Sequence, residues 1–195
     1  MLNKKTLKSI FEKLLYQAQK FHDEFNAADG KIGDGDLGVT ILNGLEEINN
    51  NKANFKDDMS ANFMLCSQAF VKKSGSSFGT LIAFSFINIS KNLKGKTECN
   101  HEDIIEIFKT ALKTILERGK TKLGDKTIAD SLDLIVKNLK DNQNYSEVIK
   151  SSTKQVLEDF KGKKIKIGRA RMFEDKTKDL DDPGMFALNR LSSVF

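Results

Sequence analysis

Apolar residues return every third or fourth position along nearly the whole chain, and a single proline, Pro183, stands near the end. That spacing gathers apolar side chains on one face of a helix. The period-two alternation and dense turn punctuation that hairpins and sandwiches need are almost absent. The first face holds Leu7, Ile10, Phe11, Leu14, Leu15, Ala18 and Phe21. A second helix is expected to start near Gly38 and to carry Ile41, Leu42, Leu45 and Ile48. Ser60 is the expected cap of a third, with Phe63, Met64, Ala69 and Phe70. A fourth, from about Phe78 to Leu93, is apolar almost all round, which predicts a buried central element. Asn100 followed by Asp103 signals a fifth, bearing Ile104, Ile107, Phe108, Ala111, Leu112 and Ile115. Asp125 is placed to cap a sixth (Ile128, Leu132, Ile135, Leu139), and Ser146 to open a seventh (Ile149, Val156, Leu157, Phe160). A short last helix follows Gly184.

The expectation is an all-α chain of about eight helices, antiparallel to their neighbours because most links are short. The long exception, residues 161–182, is polar, basic in its first part and without steady periodicity. A link of that length in a compact chain is usually functional or mobile. No composition break or internal repeat divides residues 1–195, which read as one domain.

Charge and cysteine content exclude several classes. The net charge of +5, from 32 basic and 27 acidic residues, is spread along the chain with no basic stripe interleaved with aromatics, so nucleic acid is not an expected partner. Cys66 and Cys99 lack CxxC spacing, so neither a zinc site nor a disulfide framework follows. The first apolar stretch, from Leu7 to Phe25, is broken by Lys, Glu, Gln and Asp and is no signal peptide. No segment reaches the roughly 18 apolar residues of a membrane span. The expected location is the cytoplasm.

The loops carry the chemistry. Asp29-Gly30-Lys31-Ile32-Gly33-Asp34-Gly35-Asp36-Leu37-Gly38 places three carboxylates within eight positions, with only Lys31 to neutralise them. A hard divalent cation would relieve that repulsion, and magnesium suits a few carboxylates plus phosphate oxygens. The helix beginning after the loop offers amide N–H groups to an anion. A glycine-rich turn with Asx-type caps satisfies the same spacing. An EF-hand does not, because counting from Asp34 puts Leu45 where the bidentate glutamate belongs. Lys72-Lys73-Ser74-Gly75-Ser76-Ser77-Phe78-Gly79-Thr80 is either a phosphate cradle or a plain helix connection, and without GxSxG or a preceding strand it is no nucleophile elbow. Gly119-Lys120-Thr121 looks like the tail of a P-loop, but Thr114 stands where a glycine is required, and a helix replaces the strand. Gly168-Arg169-Ala170 and Asp182-Pro183-Gly184 bound the last loop. Arg169 can neutralise charge on a transferring phosphoryl group or be a solvated surface residue. His22 and His101 suggest no role.

In order and spacing, these loops resemble the nucleotide-binding L subunit family of dihydroxyacetone kinases. The resemblance rests on Ile32-Gly33-Asp34-Gly35-Asp36-x-Gly38, Ser74-Gly75-x-x-x-Gly79-Thr80, Arg118-Gly119-Lys120 with Gly124-Asp125-Lys126-Thr127, and Gly168-Arg169-Ala170 with Asp182-Pro183-Gly184. It implies a closed up-and-down barrel of antiparallel helices, with ADP (or ATP) and two Mg2+ ions at one end. It implies Asp29, Asp34 and Asp36 as metal ligands, and Leu37, Gly38, Val39, Thr40, Lys73 and Ser74 along the phosphates. Gly119, Ile128, Asp182, Pro183 and Gly184 would surround the adenosine, with Arg169 as the catalytic charge near the phosphates. Leu37 stands where the family usually has histidine, and Val71-Lys72-Lys73 replaces a glycine-rich turn.

The implied function is phosphoryl donation to dihydroxyacetone, held on a histidine of a separate K subunit. A chain of this length without a fused K part points to ADP as a retained cofactor, recharged by an M-type phosphocarrier protein of the phosphotransferase system. The alternatives are a non-catalytic nucleotide-sensing regulatory partner, a kinase subunit for another small ketose or polyol, and a helical bundle with an apolar ligand cavity.

Overall fold

Asn3 starts the first helix by accepting hydrogen bonds from the N–H groups of Lys5 and Thr6, while the Thr6 hydroxyl accepts from the Asn3 N–H. This reciprocal cap opens α1, Lys4–Gly30. The computed structural model describes residues 1–73 and 75–195, and Ser74 lies outside the described residues. After α1 come α2 (Leu37–Asn51), α3 (Met59–Lys73), α4 (Ser77–Asn92), α5 (His101–Arg118), α6 (Ile128–Leu139), α7 (Tyr145–Asp159) and α8 (Pro183–Leu191). Each helix packs on the next, and α8 returns to α1, so the bundle closes into a ring. A two-residue antiparallel pairing of Leu2–Asn3 (β1) with Glu98–Cys99 (β2) ties the amino terminus to the α4–α5 link.

An up-and-down ring sends alternate links to the same end. The links after α1, α3, α5 and α7 therefore meet at one rim, and these are the loops that carry the polar motifs.

The core runs along the inside of α1 to α4 and α8. Phe11 meets Phe55 and Phe86 edge-on, each at 6.3 Å between centroids, and Phe86 also contacts Phe63 and Phe70 at 5.9 Å. Phe25, fully buried, meets Phe186 of α8 at 6.2 Å and seals the seam where the ring closes. A second cluster joins α6 and α7 through Ile135, Leu139, Val148 and Ile149. Cys66 and Cys99 are both free and buried.

Four local expectations are corrected. The helix α4 is one stave of the ring, between α3 and α5, rather than a central element. Its surplus apolar residues Leu81 and Phe84 line a cleft instead of a further protein face. Ser60 does not cap α3, which begins one residue earlier, with the Asp58 carboxylate accepting from the Ser60 N–H. Thr127, not Asp125, caps α6, because the Asp125 carboxylate folds back to accept from Lys122 N–H and the Thr121 hydroxyl. Asn144 caps α7, and Ser146 instead donates to the Phe195 carbonyl. The long link holds a 3-10 run, Arg169–Asp179, kinked at Glu174 (φ 42°), and its Ile165, Ala170 and Thr177 are buried.

Candidate functional site

The acidic loop is built on the last turn of α1. There Asp29 turns one carboxylate oxygen, Oδ2, inward to accept from the N–H groups of Gly35 (2.8 Å) and Asp36 (3.1 Å). Gly35 reaches that position with φ +75°, and a Cβ on Gly33 would lie 2.3 Å from Asp29 Oδ1, so the turn needs both glycines. Ile32 anchors the loop by packing on Ile165 and Ala170 of the long link. Asp29, Asp34 and Asp36 consequently each present an oxygen within 4.8 Å of the others.

Burial, followed by repulsion from Asp34 and Asp29, raises the Asp36 carboxyl above its ordinary range; the Arg169 guanidinium partly opposes this. Arg169 Nη1 lies 2.6 Å from Asp34 Oδ2, so the link sends a cationic contact to this cluster from across the rim. Three carboxylates against one guanidinium leave net negative charge, and an all-oxygen donor set of this size suits a hard divalent cation.

The start of α2 is held by Asn26 of α1. Its carboxamide oxygen accepts from Gly38 N–H (2.7 Å) and Val39 N–H (3.3 Å). Its amide nitrogen donates to His22 Nε2, whose Nδ1 is held by Asp23, so His22 orients the cap. A Cβ on Gly38 would meet the His22 carbonyl oxygen at 2.2 Å, which fixes how closely α1 and α2 approach. Two of the amides expected to be free for an anion are therefore already bonded. The Thr40 N–H bonds the Asp36 carbonyl, and its hydroxyl donates to Ser76 Oγ (2.8 Å), tying α2 to the α3–α4 link. Ser76 in turn caps α4 by accepting from Gly79 N–H.

These links surround one cleft of about 740 Å³. Its lining joins polar and charged groups, Asp29, Asp34, Asp36, Arg169, Ser76 and Thr80, with apolar ones, Phe78, Leu81, Phe84, Ile115, Ile128 and Pro183. Small-molecule sites commonly fall between about 300 and 1,000 Å³. The Arg118 guanidinium lies 3.5 Å from the centre of the Phe84 ring and forms part of the wall. Gly119 sits where a Cβ would be 2.5 Å from the Ile115 carbonyl oxygen.

Asp182 caps α8 through Met185 N–H, with Pro183 in the first helical position. Its carboxyl is enclosed by protein although the residue keeps some open surface, and burial pushes it up to about 7 against the pull of the Met185 and Gly184 N–H groups. A Cβ on Gly184 would meet Asp182 Oδ1 at 3.1 Å and Phe78 at 3.2 Å.

Of the residues singled out from sequence, the cleft brings together Asp29, Asp34, Asp36, Leu37, Gly119, Ile128, Arg169, Asp182, Pro183 and Gly184. Gly38, Val39, Thr40 and Lys73 are not among its lining residues. The Lys73 ammonium faces Glu47 at 3.9 Å, beside the closer Lys72–Glu47 pair at 2.7 Å. The expectation for Ser74 falls outside the described residues. Sequence reasoning assigned nothing to Asn26, Asp130 and Lys126. Asp130 accepts from Gly124 N–H (2.6 Å) and Thr127 N–H (2.8 Å), and so fixes the α5–α6 link. The capping-box spacing of Thr127 and Asp130 was the signal available for it.

A closed ring of antiparallel helices, with a carboxylate cluster among the residues lining a cleft, defines a helical-barrel protein. The chain belongs to the DAK2 domain family, whose model matches residues 31–194. It is 29% identical over 163 residues to the PEP-dependent dihydroxyacetone kinase 1 ADP-binding subunit DhaL of Listeria innocua, covering 82% of this chain and 78% of that one. Over 130 residues it is 29% identical to the PTS-dependent dihydroxyacetone kinase ADP-binding subunit DhaL of Lactococcus lactis, covering 64% of this chain and 65% of the relative. The dihydroxyacetone kinase of C. freundii superposes in its native form with a TM-score of 0.78, and in complex with AMP-PNP and Mg2+ with 0.77. Both matches are 21% identical and cover 100% of this chain but only 34% of the kinase chain, so the likeness carries the fold alone. Among the described residues, no helix is long and apolar enough to cross a membrane.

Proposed function

We propose that residues 1–195 form the ADP- (or ATP-) and magnesium-binding subunit of a cytoplasmic dihydroxyacetone kinase. The phosphoryl acceptor is dihydroxyacetone held on a separate K subunit. The carrying observation is that three carboxylates and Arg169 converge in the lining of a cleft that also holds Phe78, Leu81, Phe84, Ile115 and Ile128. Asp29, Asp34 and Asp36 would hold two magnesium ions, which when bound neutralise phosphate oxygens.

The chain's own residues do the positioning. Asp29 is oriented by the Gly35 and Asp36 amides, which hold its Oδ2 and leave Oδ1 without a hydrogen bond from either. Arg169 is held by Asp34 and has donors in a planar fork suited to phosphate. Once Asp34 is engaged elsewhere, that guanidinium is free to bind the phosphoryl group being transferred. Gly119, Ile128, Pro183 and Gly184 give the adenosine a close-fitting apolar bed. No side chain need act as a covalent nucleophile, because in-line phosphoryl transfer depends on placement and charge.

The DhaL names of the relatives in Listeria innocua and Lactococcus lactis support ADP as a retained cofactor, recharged by an M-type phosphocarrier protein. A second reading, a nucleotide-sensing regulatory partner or a subunit serving another small ketose or polyol, is favoured by Leu37. This residue lines the cleft beside the carboxylates and offers no polar contact there.

Native mass spectrometry followed by reconstitution tests the proposal. The purified chain is expected to carry ADP and, mixed with a K subunit and phosphorylated M-type protein, to yield dihydroxyacetone phosphate. Retained ADP without product would favour the sensor, and no magnesium-dependent nucleotide binding would overturn both.

A further inference from the structure

Lys126 is 1% exposed, among the largest fully buried side chains of the protein, and its backbone is in the left-handed region at φ 62°. An ammonium in such a place must have its donors met. Here they are met by backbone: Nζ donates to the carbonyls of Lys163 (2.9 Å), Thr177 (3.3 Å) and Lys178 (3.5 Å). Among the described residues, no carboxylate lies within ion-pair distance of it.

Those carbonyls belong to the two ends of the α7–α8 link. Gly162 N–H donates to the Lys178 carbonyl, and Ile165 N–H to the Thr177 hydroxyl, so residues 162–165 and 177–178 form a neck. Lys126 occupies the inside of that neck. Its neighbours add two ties, from Lys166 N–H to the Asp125 carbonyl and from Lys166 Nζ to the Gly124 carbonyl. Beyond the neck rises the arch that carries Arg169 to Asp34. The three hydrogens of an ammonium match three converging carbonyls, which neither methionine nor a carboxamide can satisfy.

We propose that Lys126 is the positioning residue for Arg169: by pinning the neck of the α7–α8 link it sets where the arch delivers the guanidinium to Asp34 in the acidic loop. The phosphate part of this inference rests on the function proposed above.

The test compares the full chain with Lys126→Met, Arg169→Ala and the double variant. Titration with ADP plus magnesium is expected to show a loss of roughly tenfold to a hundredfold for each single variant, with no further loss in the double. Binding of adenosine, which lacks phosphate, is expected to be unchanged in all three. Trypsin is expected to cut within residues 161–182 faster in Lys126→Met than in the parent chain, while Arg169→Ala stays protected at the neck. Unchanged ADP affinity in Lys126→Met, or losses that multiply in the double variant, would overturn the positioning role. If Arg169→Ala alone binds ADP normally, the phosphate role of Arg169 fails, and the trypsin arm still decides whether Lys126 pins the link. Should Lys126→Met not fold, Lys126→Gln, which keeps two amide hydrogens, is read in the same assays with an intermediate loss expected.

Discussion

Asp182 shows how one side chain serves two needs that conflict. As the N-cap of α8 it works well ionised, yet its carboxyl is enclosed, and burial pushes it up to about 7. The folded chain therefore binds this proton more tightly than the unfolded one, and stability falls as pH rises from about 4 through about 7. Asparagine keeps a capping oxygen and never ionises. In thermal melts, Asp182→Asn is expected to match the parent chain near pH 4 and to exceed it at pH 8; equal stability at pH 8 would contradict the buried-carboxyl account. At this scale the acidic loop was legible beforehand, because the turn that gathers Asp29, Asp34 and Asp36 lies within one short stretch. Asn26 was not legible, since it acts on Gly38 and Val39 from the preceding helix. Nor was Lys126, whose partners lie 37 to 52 positions further on.

At the scale of elements, apolar period located α1 to α7, whereas caps went astray by one or two residues wherever neighbouring side chains could both cap. Asp125 and Thr127 are the clear case. The Gly124 turn (φ +87°) directs Asp125 back toward Thr121, leaving Thr127 to accept from Ala129 N–H and to pair with Asp130. Removing the cap with Thr127→Ala is expected to cost about 1 kcal/mol in urea unfolding, with Thr127→Ser close to the parent chain. No loss on the alanine change would show that Asp130 alone holds the start of α6. The α7–α8 link was the least legible element. Its order comes from Ile165, Ala170 and Thr177 packing and bonding across the chain, which no local period encodes.

For the whole molecule, closure of the ring decides where the chemistry can sit. Alternate links share an end because neighbouring helices are antiparallel, the return of α8 to α1 brings the last helix back to the first, and Phe25 against Phe186 is the aromatic seal of that seam. Phe25→Ala is expected to cost about 3–5 kcal/mol. Because the seam completes the barrel, unfolding should remain one transition; early loss of α8 alone, seen as a separate low-temperature step, would contradict closure as a cooperative feature. The all-α ring followed from the helical period together with the family resemblance. The cleft followed only in part, since Phe84 and Arg118 form its wall through a stacking contact between α4 and α5.

In the proposed function, the acidic loop makes nucleotide binding require a divalent cation. Calorimetric titration of ADP into the full chain, with magnesium and then with chelator, measures this directly, alongside Asp36→Asn. Tight binding with magnesium, lost in chelator and strongly weakened in the variant, is the predicted result; ADP binding that ignores both magnesium and Asp36 would contradict it.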